Sequence, residues 1–197
     1  HECSAELLRS FKKRGIKSRV STRLESATAS DSSVQVVLAT EGAEPDTIEA
    51  DVLLCAVGRK PVTDSLKLDQ VGIKTDHGFI PVQPNQSTTR SHIYAIGDIV
   101  AGTAQLAHVA SAEGIIAVET IAGMDTHPIR NDRVPNATYC HPEVASVGLT
   151  EEAAKDSGRK IKIGKFPFLG NARAKAMLQA DGFVKMIADA ETDRILG

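Results

Sequence analysis

A lone aspartate, Asp98, follows the apolar run at 93–96 and a glycine, and it precedes a long apolar stretch by a few residues. That order suits one kind of chemistry. A carboxylate at the carboxyl end of a buried strand can accept hydrogen bonds from two adjacent hydroxyls. Such a site favours a sugar or ribityl chain over a phosphate, which the carboxylate would repel. The alternative role is a turn aspartate that caps the following loop. A helix amino end aimed at the same crevice adds unpaired N–H groups and about half a positive charge.

Other reactive side chains carry plainer alternatives. His108 falls in the first turn of the helix expected after Asp98, and no carboxylate or nucleophile stands at helical spacing from it, so a satisfied histidine competes with a base. Arg59 and Lys60 follow an apolar run and suit either an anion or open solvent. His127 and His141 each precede proline and read as turn residues. Cys3, Cys55 and Cys140 are too far apart for a C-x-x-C or metal-clamp spacing, so they read as separate small hydrophobes in a reducing compartment, Cys55 inside a strand. No metal site is expected. The fifteen glycines contain no G-x-G pair, which removes the dinucleotide fingerprint and the phosphate loop.

The elements that must position these groups follow from periodicity. Residues 93–96 form a short apolar run of the kind a buried parallel strand shows, and Gly97 turns the backbone. Residues 103–123 predict a helix, apolar on most of its circumference, buried between layers and stopped by Gly123. Upstream, Ser4 is placed to cap a helix over 5–14 that Gly15 ends. Alternation at 16–24 and 34–38, with a further segment at 47–50, predicts a small antiparallel meander. Residues 51–57 form a continuous apolar run that predicts a strand in the middle of a sheet. Residues 62–86 read as loop with a short strand at 79–82. A linker at 125–135 precedes strands at 137–140, 143–147, 161–168 and 183–188, a capped helix after Thr150, and the start of a strand at 194–197.

The 197 residues, 42% of them hydrophobic, can bury one or two cores, and 23 basic against 25 acidic residues give a formal charge of -2. Neither sign gathers into a block, so nucleic acid and membrane surfaces are not expected partners, and no signal-like or spanning run is present.

The ordered set ADVLLCAVGRKP at 50–61, IYAIGD at 93–98, LAH at 106–108, AEG at 112–114, YCHPEVASVG at 139–148 and GKFPF at 164–168 resembles the FAD-dependent pyridine nucleotide-disulfide oxidoreductases. The resemblance covers nearly the whole chain, and LAH with GKFPF favours the branch that oxidises dihydrolipoamide over glutathione or mercuric reductases. It implies an α/β and α+β fold in three parts. Residues 1–60 would be the second half of an NAD-binding domain, 61–130 the closing segment of an FAD-binding domain, and 131–197 the first half of an antiparallel α+β dimer interface domain.

By the same resemblance Asp98 binds the ribityl hydroxyls of FAD, and Gln105, Leu106, Ala107 and His108 line the flavin. Gly58 lets NAD approach the backbone, and Leu24 borders its adenine. Gln105 stands where the family commonly has Met, and Cys140 where Thr is common. The implied partners are a second copy, joined through residues after about 131, and the lipoyl domains of a 2-oxo acid dehydrogenase complex. The implied location is bacterial cytoplasm or an organelle matrix. The family's flavin fingerprint and redox cysteine pair lie upstream of His1, and its catalytic His and Glu downstream of Gly197. No catalytic residue is therefore assigned here, and the chain alone is expected to be an inactive fragment. The competing readings are another disulfide or mercuric reductase of this fold, and a non-catalytic dimerisation module.

Overall fold

Leu7, Leu8 and Phe11 recur at helical spacing in α1, Glu2–Lys13, the first element of the computed structural model, which describes residues 2–197. Glu2 in its first turn and Lys12 and Lys13 in its last complement the helix dipole. Because the helix already includes Ser4, that serine is not its cap, contrary to expectation. Its end is as expected: Gly15 takes a φ of +79°, its N–H donates to the Lys12 carbonyl (3.1 Å) and that of Ile16 to the Phe11 carbonyl (2.9 Å). This is the paired closure that a left-handed glycine permits.

The antiparallel meander then forms from β1 (Thr22–Ala29), β2 (Val34–Thr40) and β3 (Asp46–Ala50), in the order β1-β2-β3. The first strand begins at Thr22 rather than at residue 16, after Ser21 interrupts the chain with a φ of +51°. Val36, 3% exposed at the centre of β2, carries the buried face. A register break falls between Leu24 and Ser26.

Residues 51–57 depart most from expectation. They form no strand, and Val52, Leu54, Cys55 and Val57 are exposed, Val57 at 93%. A strand exists only by pairing, and no described strand is hydrogen-bonded to this run, so its apolar character alone does not bury it. Cys3 is exposed too, so neither Cys3 nor Cys55 packs as the small hydrophobe expected of it.

By contact the chain divides after Gly58, and the second unit spans Arg59–Gly197. Its core is Ile73, Ile80, Ala95 and Val100, with Leu68, Val82, Ile93 and Ile99 packed against it. The two short strands expected at 79–82 and 93–96 reduce to bridges: Ile80 pairs with Val100 in parallel and Ser87 with Tyr94 antiparallel. Segments this short satisfy their backbone through isolated bonds, such as Ile80 N–H to the Ile99 carbonyl and Ala101 N–H to the Ile80 carbonyl.

The helix after Asp98 is α2, Ala107–Ile121, closed at Gly123 by the same paired bonds as α1. Only one face is buried, through Val109, Glu113, Ile116 and Ala117, whereas Ile115, Val118 and Ile121 are exposed. The expectation of burial all round is corrected: the described residues cover one side of the helix.

Beyond residue 135 the predicted strands form antiparallel pairs. These are β4 (Asn136–Thr138) with β5 (Val144–Ser146), and β6 (Ile161–Pro167) with β7 (Phe183–Asp189). Between them lie α3 (Glu151–Asp156) and the unforeseen short α4 (Ala172–Ala176). Thr150 caps α3 by accepting the Ala153 N–H, and Ser157 closes it, as the sequence indicates. The last residues extend the pair, since Ile195 bridges to Ala188.

Glu151 links α3 to β7, accepting from Lys155 at 2.6 Å and from Lys185. The Lys155 hydrogen bond first, and that of Lys185 next, hold its carboxyl below the usual range. A carboxyl lowered on folding adds stability above its unfolded value, and the gain is lost as pH falls through the folded value. The Glu151→Gln variant is therefore expected to show a flatter acid limb of unfolding midpoint against pH, with the neutral and alkaline limbs parallel to wild type. An acid limb as steep as wild type's would contradict this.

Candidate functional site

Gly97 adopts a φ of +77°, a conformation open to a residue without a side chain, and leads a single tight turn, Gly97–Ile99, that presents Asp98. The turn is anchored on both sides. Ala95 N–H donates to the Gln86 carbonyl before it, and the Ile80 bonds hold residues 99–101 after it. Helix α2 lies close against the turn because its facing residues are small. A methyl on Gly97 would stand 3.5 Å from the Ala110 Cβ, and one on Gly114 would stand 3.4 Å from the Ile96 Cδ1.

Asp98, Ile99 and Gln105 line a cleft of about 430 Å³ with residues 59–62. Asp98 Oδ2 accepts from Arg59 Nη1 at 2.8 Å, the two side chains being 45% and 69% exposed. Gln105 Nε2 donates to the Asp98 carbonyl at 3.2 Å, so the residue just before α2 is tied to the turn. The carboxylate thus bonds to a side chain across the cleft, whereas a loop-capping aspartate would bond to its own turn. An exposed pair of this kind is worth at most about 1 kcal/mol, so ligand hydroxyls can share or displace it. A carboxylate offers about four lone-pair positions, and one bond from Arg59 leaves room for a diol.

The structure brings Asp98 and Gln105 together at the amino end of α2. Leu106, half-buried, and Ala107 and His108, both exposed, form that end itself. Gly58 and Leu24 belong to the first unit. Gly58 has a φ of +129° with open space where a side chain would stand, and Leu24 is 45% exposed beside the register break of β1. Among the described residues no cluster of three or more His, Cys, Asp or Glu is poised to hold a metal, and no helix is long and apolar enough to cross a membrane.

Sequence reasoning missed the Asp98 partner of one residue of this site and gave no role to another. Arg59, 69% exposed, keeps most of its contact with solvent and pairs with the Asp98 carboxylate. Glu113 is 2% exposed, and its carboxylate accepts from the Gly97 N–H at 2.6 Å and the Thr103 hydroxyl at 2.7 Å. The available signal was an acid set among Val109, Ile116 and Ala117 on the one face of α2 that packs inward.

The family model for pyridine nucleotide-disulphide oxidoreductases matches residues 1–114, and that for the dimerisation domain of the same oxidoreductases matches residues 134–197. The chain is 44% identical over 198 residues to the mitochondrial dihydrolipoyl dehydrogenase of Pisum sativum, covering 100% of this chain and 39% of that protein. Among solved structures, LpdA from Mycobacterium tuberculosis superposes with a TM-score of 0.86 at 31% identity, over 96% of this chain and 40% of that one. The HOCl-induced flavoprotein disulfide reductase RclA from Escherichia coli gives a TM-score of 0.86 at 28% identity, over 100% and 44%. The chain spans about two fifths of the length of the curated relatives it matches.

Proposed function

Because the chain belongs to the pyridine nucleotide-disulphide oxidoreductase family, we propose that it is the part of a dihydrolipoamide dehydrogenase that grips the flavin's ribityl chain and begins the subunit interface. The observation that carries this reading is the Asp98 carboxylate in its cleft at the amino end of α2, with Gln105 joining helix and turn. The residues fit the cofactor's chemistry. Asp98 accepts from ribityl hydroxyls, Arg59 donates across the same cleft, and the first turn of α2 offers the N–H groups of Ala107 and His108 to negative charge on the flavin ring, with Leu106 beside them. FAD, when bound, supplies the transfer of electrons between a dithiol and NAD. This chain's own residues orient the cofactor and set the charge around it.

In the first unit, Gly58 is the position at which NAD approaches the backbone, since its φ and the open space beside it leave room for a ligand. Leu24 borders the adenine. The division of labour is residues 1–60 for NAD, 61–130 for FAD and 131–197 for a homodimer interface, supported for the last by the dimerisation-domain match. Exposed Phe166, Val184 and Met186 on the β6–β7 pair suit such a face. Lipoyl domains of a 2-oxo acid dehydrogenase complex are the proposed further partner, and a bacterial cytoplasm or an organelle matrix the proposed location.

The polypeptide of the relatives' full length that carries this stretch is expected to purify yellow and to reduce NAD with dihydrolipoamide. A colourless dimer would support the scaffold reading instead. A yellow protein inert toward dihydrolipoamide but active on another disulfide would support the second enzymatic reading, which the likeness to RclA keeps in play. The 197 residues by themselves are expected to show no such turnover, because none of Cys3, Cys55 and Cys140 matches the redox pair.

A further inference from the structure

Glu113 is the largest fully buried side chain among the described residues, and both of its partners, the Gly97 N–H and the Thr103 hydroxyl, are neutral. Burying a carboxylate without a cation is costly, so its retention needs a reason beyond packing. The apolar neighbours on its face of α2 would be served by a leucine. What the carboxylate does instead is hold the amide immediately before Asp98.

That amide belongs to Gly97, whose lack of a side chain opens backbone conformations that other residues rarely adopt. Its φ of +77° is one of several that glycine can take, and each would send Asp98 out in a different direction. The 2.6 Å bond from Gly97 N to Glu113 Oε2 selects one of them. The bond to Thr103 on Oε1 fixes the carboxylate's own rotation and reaches the loop between Asp98 and Gln105. Glu113 therefore ties the start of the turn to the loop that follows it, while sitting on the helix whose amino end forms the other wall of the site.

We propose that Glu113 is the positioning residue for Asp98: it acts on flavin affinity by fixing the Gly97 amide, and it does not touch the cofactor. This rests on the reading of Asp98 as the ribityl ligand. The test is a double-mutant cycle on FAD dissociation constants in the full-length flavoprotein, with Asp98→Ala and Glu113→Ala, alone and together. Glu113→Ala alone is expected to weaken FAD by at least about threefold and by no more than Asp98→Ala does, because it can forfeit only what Asp98 contributes. In the Asp98→Ala background the same change should cost less than about twofold.

Glu113→Gln is the conservative rescue. Its carbonyl still accepts from Gly97 while its amide donates to the Thr103 oxygen, so affinity should stay within about threefold of wild type. Should Glu113→Ala not fold by circular dichroism, Thr103→Val, which removes the second bond alone, takes its place in the cycle with the same expectation of coupling. Equal losses with and without Asp98 would mean a general structural role and would overturn the inference, as would an unchanged FAD affinity in the single Glu113 variant. An Asp98→Ala protein that binds FAD as wild type does would instead overturn the ribityl reading, and the inference with it.

Discussion

Asp98→Ala in the full-length flavoprotein is expected to weaken FAD retention by about tenfold to 150-fold, the range for losing hydrogen bonds to a charged acceptor worth roughly 1.5–3 kcal/mol. The loss is expected in flavin affinity with little change in the unfolding midpoint of the apoprotein, because the side chain is half-exposed and its one ion pair is a surface pair. Asp98→Asn should fall between: the shape and one acceptor remain, and the charge does not. Flavin absorbance after exhaustive dialysis and a titrated dissociation constant measure both. Flavin content unchanged from wild type in Asp98→Ala would remove the ribityl role. A large fall in apoprotein stability would point back to the loop-capping alternative.

Ile80→Ala carries the largest expected effect on stability. Ile80 is 3% exposed in the core formed with Ile73, Ala95 and Val100, and it bridges in parallel to Val100, just beyond Asp98. Removing its outer carbons forfeits their burial and leaves a cavity that the anchored loops around it cannot fully close, at a cost of about 2–5 kcal/mol. Its backbone bonds to residues 99 and 101 survive the substitution, so the denaturant midpoint should fall with an unchanged slope. Chemical denaturation of the apoprotein reads this directly, and a midpoint equal to wild type would show that this cluster is not the core of its unit. The exposed Ile115 supplies the contrast, since its truncation should cost under about 0.5 kcal/mol in the same unit.

Much of the local structure was legible in the sequence. Gly15 and Gly123 close their helices and Thr150 opens α3, because each depends on a few neighbouring residues and on backbone geometry alone, and the strands expected after residue 135 are found as two antiparallel pairs. The strand expectation for 51–57 failed for the converse reason. An apolar run states what a segment would gain by burial, but it cannot supply the neighbour that hydrogen-bonds to it.

The sequence by itself determined the family, through the order and spacing of six short motifs, and it singled out Asp98 as an acid following a glycine turn. Only the tertiary structure decided how that acid is held. Arg59 reaches it across 39 positions of chain, and Glu113, 16 positions from Gly97, goes inward to clamp the preceding amide. Those pairings arise from how loops and a helix pack in three dimensions. Charge, burial and a hydrogen bond between distant positions leave no periodic trace along one strand of text.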